Sequence, residues 1–344
     1  TTTATTTLKN GQIVTLNGST GEIFLGSVVP LPRDSSPALP SLNLPPDFKT
    51  ATKIYVNLAE PEAAARVAQK NIDGVGLLRA EFMIAGLGVH PKKIIAEGRE
   101  KDYIDKLATD LAKFCQAFFP RPVIYRATDF KTNEYRSLKG GDKYEPVESN
   151  PMLGFRGAFR YIKNPDVFNL ELEAIKLVRQ KKNLTNLHLM IPYVSTVPEL
   201  VEVKKLVAAA GLYRSGTFKL WMMVEIPANV ILLDDFLSVG IDGVSIGSND
   251  LTMLTLGLDR DNQEVASQFD ERNPAVLWAL EKTVKTCLKH QVTSSICGQA
   301  PSEYPELVEK LVNWGITSIS VNPDVIEKTR EIVYHCESKL INKL

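Results

Sequence analysis

Eight short β-branched runs alternating with helical stretches over about 290 residues predict a (β/α)8 TIM barrel. Two further observations set its boundary. Residues 27 to 50 carry six prolines and read as a stiff, extended linker. Ahead of them, residues 8 to 26 alternate apolar and polar positions around two Asn-Gly dipeptides, the strongest short-range hairpin signal. The chain therefore divides into a β-hairpin segment at 1–26, a Pro-rich linker at 27–50 and a barrel at 51–344. A doubly wound open sheet shares the same alternation, and strand order is not legible in one sequence.

The hairpin, "LKNGQIVTLNGSTGEIFLG", has too few strands to stand as a domain. In the barrel the expected strands are "KIYVN" (53–57), "VGLLR" (75–79), "PVIYR" (122–126), "LHLMIP" (187–192), "KLWMMVE" (219–225), "GVSIG" (243–247), "TSSIC" (293–297) and "TSISV" (317–321). Helices are expected at 61–71 behind Pro61, at 99–118, at 198–210 stopped by Gly211, and at 274–290 with Asn273 as N-cap and Pro274 in the first turn. Roughly 60 residues separate the third and fourth strands, and 127–150 shows no periodicity, a length that marks a functional or disordered segment.

Forty basic and forty acidic residues cancel in the 344, without long runs of either sign. That excludes the electrostatic footprint of a nucleic-acid or membrane-surface binder. No stretch approaches the ~18 apolar residues of a membrane span, and no signal peptide is visible. Cys115, Cys287, Cys297 and Cys336 form no CxxC pair, so neither a zinc site nor a disulfide framework is expected, and a reducing cytoplasm is the expected compartment. The opening "TTTATTT" reads as a disordered tail or the cut edge of a longer protein.

Barrel chemistry sits at the C-terminal ends of strands. Here those ends are polar: Arg79 with Glu81 beyond it, Arg126 followed by Asp129, Glu225, then Ser248, Asn249 and Asp250, and Cys297. Arg156, in the long connection, is placed to fold over the mouth. Singly, each has an ordinary explanation as a surface ion pair, helix cap or core thiol. Jointly, Glu225 and Asp250 suit one hard cation such as Mg2+, and the arginine forks suit carboxylate or phosphate oxygens. The implied ligand is a small, multiply anionic molecule.

An electropositive mouth with arginines and a metal is also expected to lower the thiol pKa of Cys297 and make its thiolate available. The other three cysteines fall in phase with apolar helix faces, where packing explains them. No GxxxxGK[ST] loop is present, and His90, His188, His290 and His335 share no metal-ligand spacing.

The stretches "GVGLLRAEF", "YRATDFKTNEYRSL", "NPMLGFRGAFRYI", "MMVEIPANV", "SIGSNDLTMLTLGLDRDN" and "ICGQAPSE" closely resemble the C-terminal phosphoenolpyruvate (PEP)/pyruvate-binding barrel of the phosphoenolpyruvate synthase (pyruvate, water dikinase) family. Pyruvate, phosphate dikinase and enzyme I of the sugar phosphotransferase system look related, and "DFKTNEY" favours the synthase branch.

The resemblance implies that Glu225 and Asp250 bind Mg2+ and that Arg79, Arg126 and Arg156 bind substrate phosphate and carboxylate. Gly247, Ser248, Asn249 and Arg260 would contact the same ligand, and Cys297 would be the acid/base at the substrate methyl. The implied reaction turns ATP, pyruvate and water into AMP, PEP and phosphate through a phosphohistidine on a swivelling domain. Residues 1–26 resemble the last strands of that domain. The histidine and the ATP-binding half do not occur in this sequence, so a fragment is expected, with those missing domains and a second copy in a homodimer as partners. A Mg2+-dependent pyruvate-enolate lyase or aldolase, and a non-catalytic PEP-binding or dimerisation module, are the alternatives.

Overall fold

The computed structural model describes residues 8–17, 22–27 and 48–342. The chain divides into two units between Pro45 and Pro46. In the first, β1 (Val14–Asn17) and β2 (Glu22–Leu25) pair antiparallel, from Val14 opposite Leu25 to Asn17 opposite Glu22. Asn10-Gly11 makes a separate turn before β1: Gln12 N–H donates to Lys9 O at 3.1 Å and Gly11 takes φ +88°. The Gly18 half of the second Asn-Gly pair, and residues 28–47 of the Pro-rich stretch, lie outside the described residues.

The second unit contains eight parallel strands: β3 (Lys53–Leu58), β4 (Gly74–Arg79), β5 (Val123–Arg126), β6 (Leu187–Ile191), β7 (Leu220–Val224), β8 (Gly243–Ile246), β9 (Thr293–Ile296) and β10 (Ser318–Val321). Their order, β10-β3-β4-β5-β6-β7-β8-β9, joins the last strand to the first and is that of a (β/α)8 barrel, not a doubly wound sheet. The remaining seam, β9 to β10, is closed largely by hydroxyls. Thr317 N–H and Oγ1 donate to Ser294 O at 3.2 and 2.6 Å, and Ser294 N–H donates to Thr317 Oγ1 at 2.8 Å.

These strands form because both faces are buried, which near-continuous apolar runs satisfy. β7, "LWMMV", is buried at every position. One face packs against helices; the other fills the barrel with Leu77, Ile124, Met190, Trp221, Met223 and Cys297. The helix Glu100–Phe118 buries Leu107, Leu111, Phe114, Cys115 and Phe118 on one stripe, each large side chain contributing on the order of 2 kcal/mol. Cys287 and Cys336 are buried on helices in the same way.

Asn273 caps the helix Pro274–Lys289 by accepting from Ala275 N–H at 2.9 Å, and Val197–Ala209 is followed by Gly211 at φ +81°. The helix expected at 61–71 is cut to Pro61–Ala63 and Ala64–Val67. Asp73 N–H already donates to Ile54 O at 2.8 Å, so the chain must turn back to the sheet.

The segment without periodicity is packed. Short helices Thr132–Arg136 and Gly141–Tyr144 lead through Pro151–Leu153 into Gly157–Lys163 and Pro165–Lys176. At the opposite end, Glu337, on the helix Ile326–Ile341, accepts from Ala51 N–H at 2.9 Å and Thr52 N–H at 2.7 Å, fixing the entry to β3.

Candidate active site

The strand ends converge. Arg79, Arg126 and Cys297 line one cleft of about 290 Å3, and Glu225, Gly247 and Asn249 face it too. Asp250 joins from the helix Ser248–Leu256, Arg260 from the loop beyond it and Arg156 from the long connection. Ser248 alone of the expected set does not line it: its fully buried hydroxyl donates to Glu271 Oε1 at 2.5 Å. Asn249 Oδ1 accepts from Gln299 N–H at 3.1 Å, tying this helix to the loop after Cys297.

The arginines are of two kinds. Arg126 donates to Glu81 Oε1 at 2.6 Å, and the same oxygen takes Asp129 N–H at 2.8 Å. Burial lowers the pKa of Arg126, but Glu81, Asp129 and Glu225 outweigh it and hold the guanidinium charged. Arg156 forks onto Asp129 at 3.0 and 2.5 Å, reaches Asp250 Oδ2 at 3.1 Å and lies 4.0 Å over the Tyr193 ring. Arg79, by contrast, is exposed at the mouth and makes no hydrogen bond or ion pair among the described residues. Among the described residues Arg260 pairs only with Asp261, at 3.9 Å. Two forks are held in place and two are free to meet an anion.

Glu225 is 2 % exposed, and its Oε1 accepts Tyr193 N–H at 2.6 Å. A Cβ at position 247 would stand 2.7 Å from Oε2, so Gly247 leaves that oxygen open. Burial raises the Glu225 pKa, and the neighbouring charges of Asp250 and Asp129 raise it further against Arg156 and Arg126. A carboxylate held under repulsion beside a second one fits a divalent cation, which would relieve it. Among the described residues no three His, Cys, Asp or Glu side chains form a ready cage. The Glu225–Asp250 pair would thus leave most coordination positions to ligand and water.

Cys297 is 2 % exposed, and its Sγ–H points at Ile246 O, 3.6 Å away. Asn57 Nδ2 holds its carbonyl at 3.1 Å. Among the protein's own groups the balance on this thiol runs upward. Burial pushes the thiol up to about 11; Ser245, Arg126 and Arg79 pull it down too weakly, and Glu225 pushes the other way.

Glu81, Asp129, Tyr193 and Glu271 carry site functions that the sequence reading left without a role. Glu81 and Asp129 were visible as polar groups just past strand ends. Tyr193 and Glu271 act through a backbone N–H and a serine, and gave no signal.

Fold and cleft together define a parallel barrel that gathers arginines, carboxylates and a thiol around one cleft at its strand ends. A family model described as PEP-utilising enzyme, PEP-binding domain, matches residues 38–338, and the chain belongs to that family.

Among curated relatives, a probable phosphoenolpyruvate synthase of Staphylothermus marinus is 48% identical over 99% of this chain and 42% of its own length. The phosphoenolpyruvate synthase of Aeropyrum pernix is 47% identical over 98% of this chain and 43% of its own. The chain thus spans less than half the length of these relatives. A solved HpcH/HpaI aldolase/citrate lyase family protein from Burkholderia cenocepacia covers 83% of this chain and 94% of its own, at 15% identity and TM-score 0.46, too distant to inform the chemistry. No helix among the described residues is long and apolar enough to cross a membrane.

Proposed function

We propose that this cleft carries the pyruvate/PEP half-reaction of a phosphoenolpyruvate synthase, exchanging a phosphoryl group with a phosphohistidine on a domain outside the barrel. The observation that carries the reading is the convergence of free arginines, a repelled carboxylate pair and one buried thiol on a single cleft. Residues 1–26 would be the end of the phosphohistidine domain and 27–50 its tether.

Arg126, locked by Glu81, would fix one end of the bound anion, while Arg79 and Arg260 close on oxygens that arrive with the ligand. Glu225 and Asp250 would hold Mg2+, which when bound supplies positive charge that lowers the cost of ionising the pyruvate methyl group. In the synthetic direction a C3 proton of pyruvate passes to the Cys297 sulfur. The enolate oxygen then attacks phosphorus, an O–P bond forms as the N–P bond breaks, and PEP and free histidine remain. In reverse, the Cys297 thiol returns a proton to C3. Its raised pKa suits that donor role directly, so the synthetic direction requires ionisation of the thiol once the cleft is charged with ligand and cation.

Exchange of pyruvate methyl protons with solvent, followed by NMR in the presence of Mg2+, tests this. Cys297→Ala should abolish exchange and keep oxalate binding; unchanged exchange would remove the thiol from the chemistry.

A further inference from the structure

Arg156 is held from two sides. Its guanidinium is gripped by Asp129, Asp250 and the Tyr193 ring. Its main chain is gripped by charges that never reach the cleft. Phe155 N–H donates to both oxygens of Glu148, at 3.0 and 3.2 Å, and Phe155 O accepts Arg160 Nε and Nη2 at 3.1 and 2.6 Å. The residue before Arg156 thus has both backbone groups tied to ionic side chains. The residue after it, Gly157, takes φ +56°, and a Cβ there would stand 2.5 Å from Tyr193 Cβ.

Arg160 is itself fixed. It forks onto Glu145 at 2.7 and 2.9 Å and lies between the Phe155 and Tyr135 rings, 4.4 and 4.9 Å from their centres. Glu145 Oε1 also takes His90 Nε2 at 2.9 Å. His90 Nδ1 accepts Lys92 N–H at 3.1 Å, so the ring proton sits on Nε2, and the imidazole acts as a neutral donor. All three side chains are buried. The cluster ties the helix Pro91–Ala96, the end of Gly141–Tyr144 and the helix Gly157–Lys163 into one block.

We infer that Arg160, braced by Glu145 and His90, is a positioning residue for Arg156 and, through it, for Asp250. Arg160 contacts neither the cleft nor any ligand position. It sets the peptide from which Arg156 projects, and Arg156 in turn sets the Asp250 carboxylate. The inference rests on the reading of the cleft as a PEP site.

The test is a double-mutant cycle on the 344-residue chain, reading Mg2+-dependent binding of oxalate by calorimetry beside thermal melting. Arg160→Lys keeps the charge and loses the fork. It should weaken oxalate binding roughly 10- to 100-fold, as loss of an outer support does at a metal site. In an Arg156→Lys background the same change should cost less than about twofold, because the residue it acts through has already lost its fork. Equal losses in both backgrounds would overturn the inference, as would a lowered melting temperature with unchanged binding by the folded protein. If Arg160→Lys does not fold, Glu145→Gln, which keeps the shape of the cluster, is read in the same cycle, with a smaller loss of the same sign expected. Failure of the PEP-site reading looks different: Arg156→Lys and Glu225→Gln would then each leave oxalate binding unchanged.

Discussion

The two ends of the barrel treat charge in opposite ways. At the N-terminal end of the strands, charged groups are saturated. Asp242 takes Arg214 through two bonds of 2.9 Å and Leu220 N–H at 2.9 Å, while Arg214 also reaches Gly240 O. Arg330, 1 % exposed, donates to Asp73 at 2.7 Å, Asn71 O at 3.1 Å and Thr50 Oγ1 at 3.2 Å. Arg121 is spent on backbone carbonyls, among them Ala68 O at 2.8 Å. At the C-terminal end Arg79 has no partner among the described residues, and Glu81 Oε2 and Arg126 Nε are buried without one. Glu225 is held under repulsion there. Similar residue types thus complete their bonds at one end of the barrel and leave bonding capacity open at the other, the end where barrels of this kind place ligand chemistry.

The contrast can be broken at either end. The largest effect belongs to the saturated end: Arg330→Met leaves the Asp73 carboxylate with only the Ile54 N–H, at 2.9 Å, among the described residues and should cost about 3 kcal/mol in chemical denaturation, as breaking a buried pair does. Oxalate affinity of the folded protein should stay the same; a loss there would mean the two ends are not separate. Next, Glu225→Gln should weaken Mg2+-dependent oxalate binding by about 100-fold or more, since even outer supports of a metal site carry up to that much. Its melting temperature should hold or rise, because a repelled buried charge is removed. The smallest effect is Arg79→Ala, roughly a tenfold loss in PEP affinity, the worth of one charge-assisted contact. Melting should not move, since Arg79 holds nothing together; a drop would show a structural bond at the free end.

All eight strands were legible because burial on both faces forces β-branched apolar runs, which need no knowledge of their neighbours. The helix at 61–71 was overdrawn because its end is set by the Asp73 to Ile54 bond, which the local pattern does not contain. The connection after β5 was unreadable for the same reason. Its one-turn helices are fixed by pairs such as Arg160 with Glu145 and His90, distant in sequence and without period. At the site, the strand-end rule found the residues lining the cleft. It did not reveal that Ser248 turns to Glu271, or that burial outweighs the arginines at the Cys297 thiol. Both depend on which atoms crowd the group, and spacing along a chain does not record that.

The grip of Glu337 on Ala51 and Thr52 has a mechanical meaning. It works like the strain relief on a cable: a tug on the chain upstream is taken up by the C-terminal helix before it reaches β3. β3 carries Asn57, whose amide holds the Cys297 carbonyl. The same strand is thus anchored at its entry by Glu337 and, near its exit, holds the loop that carries the sulfur.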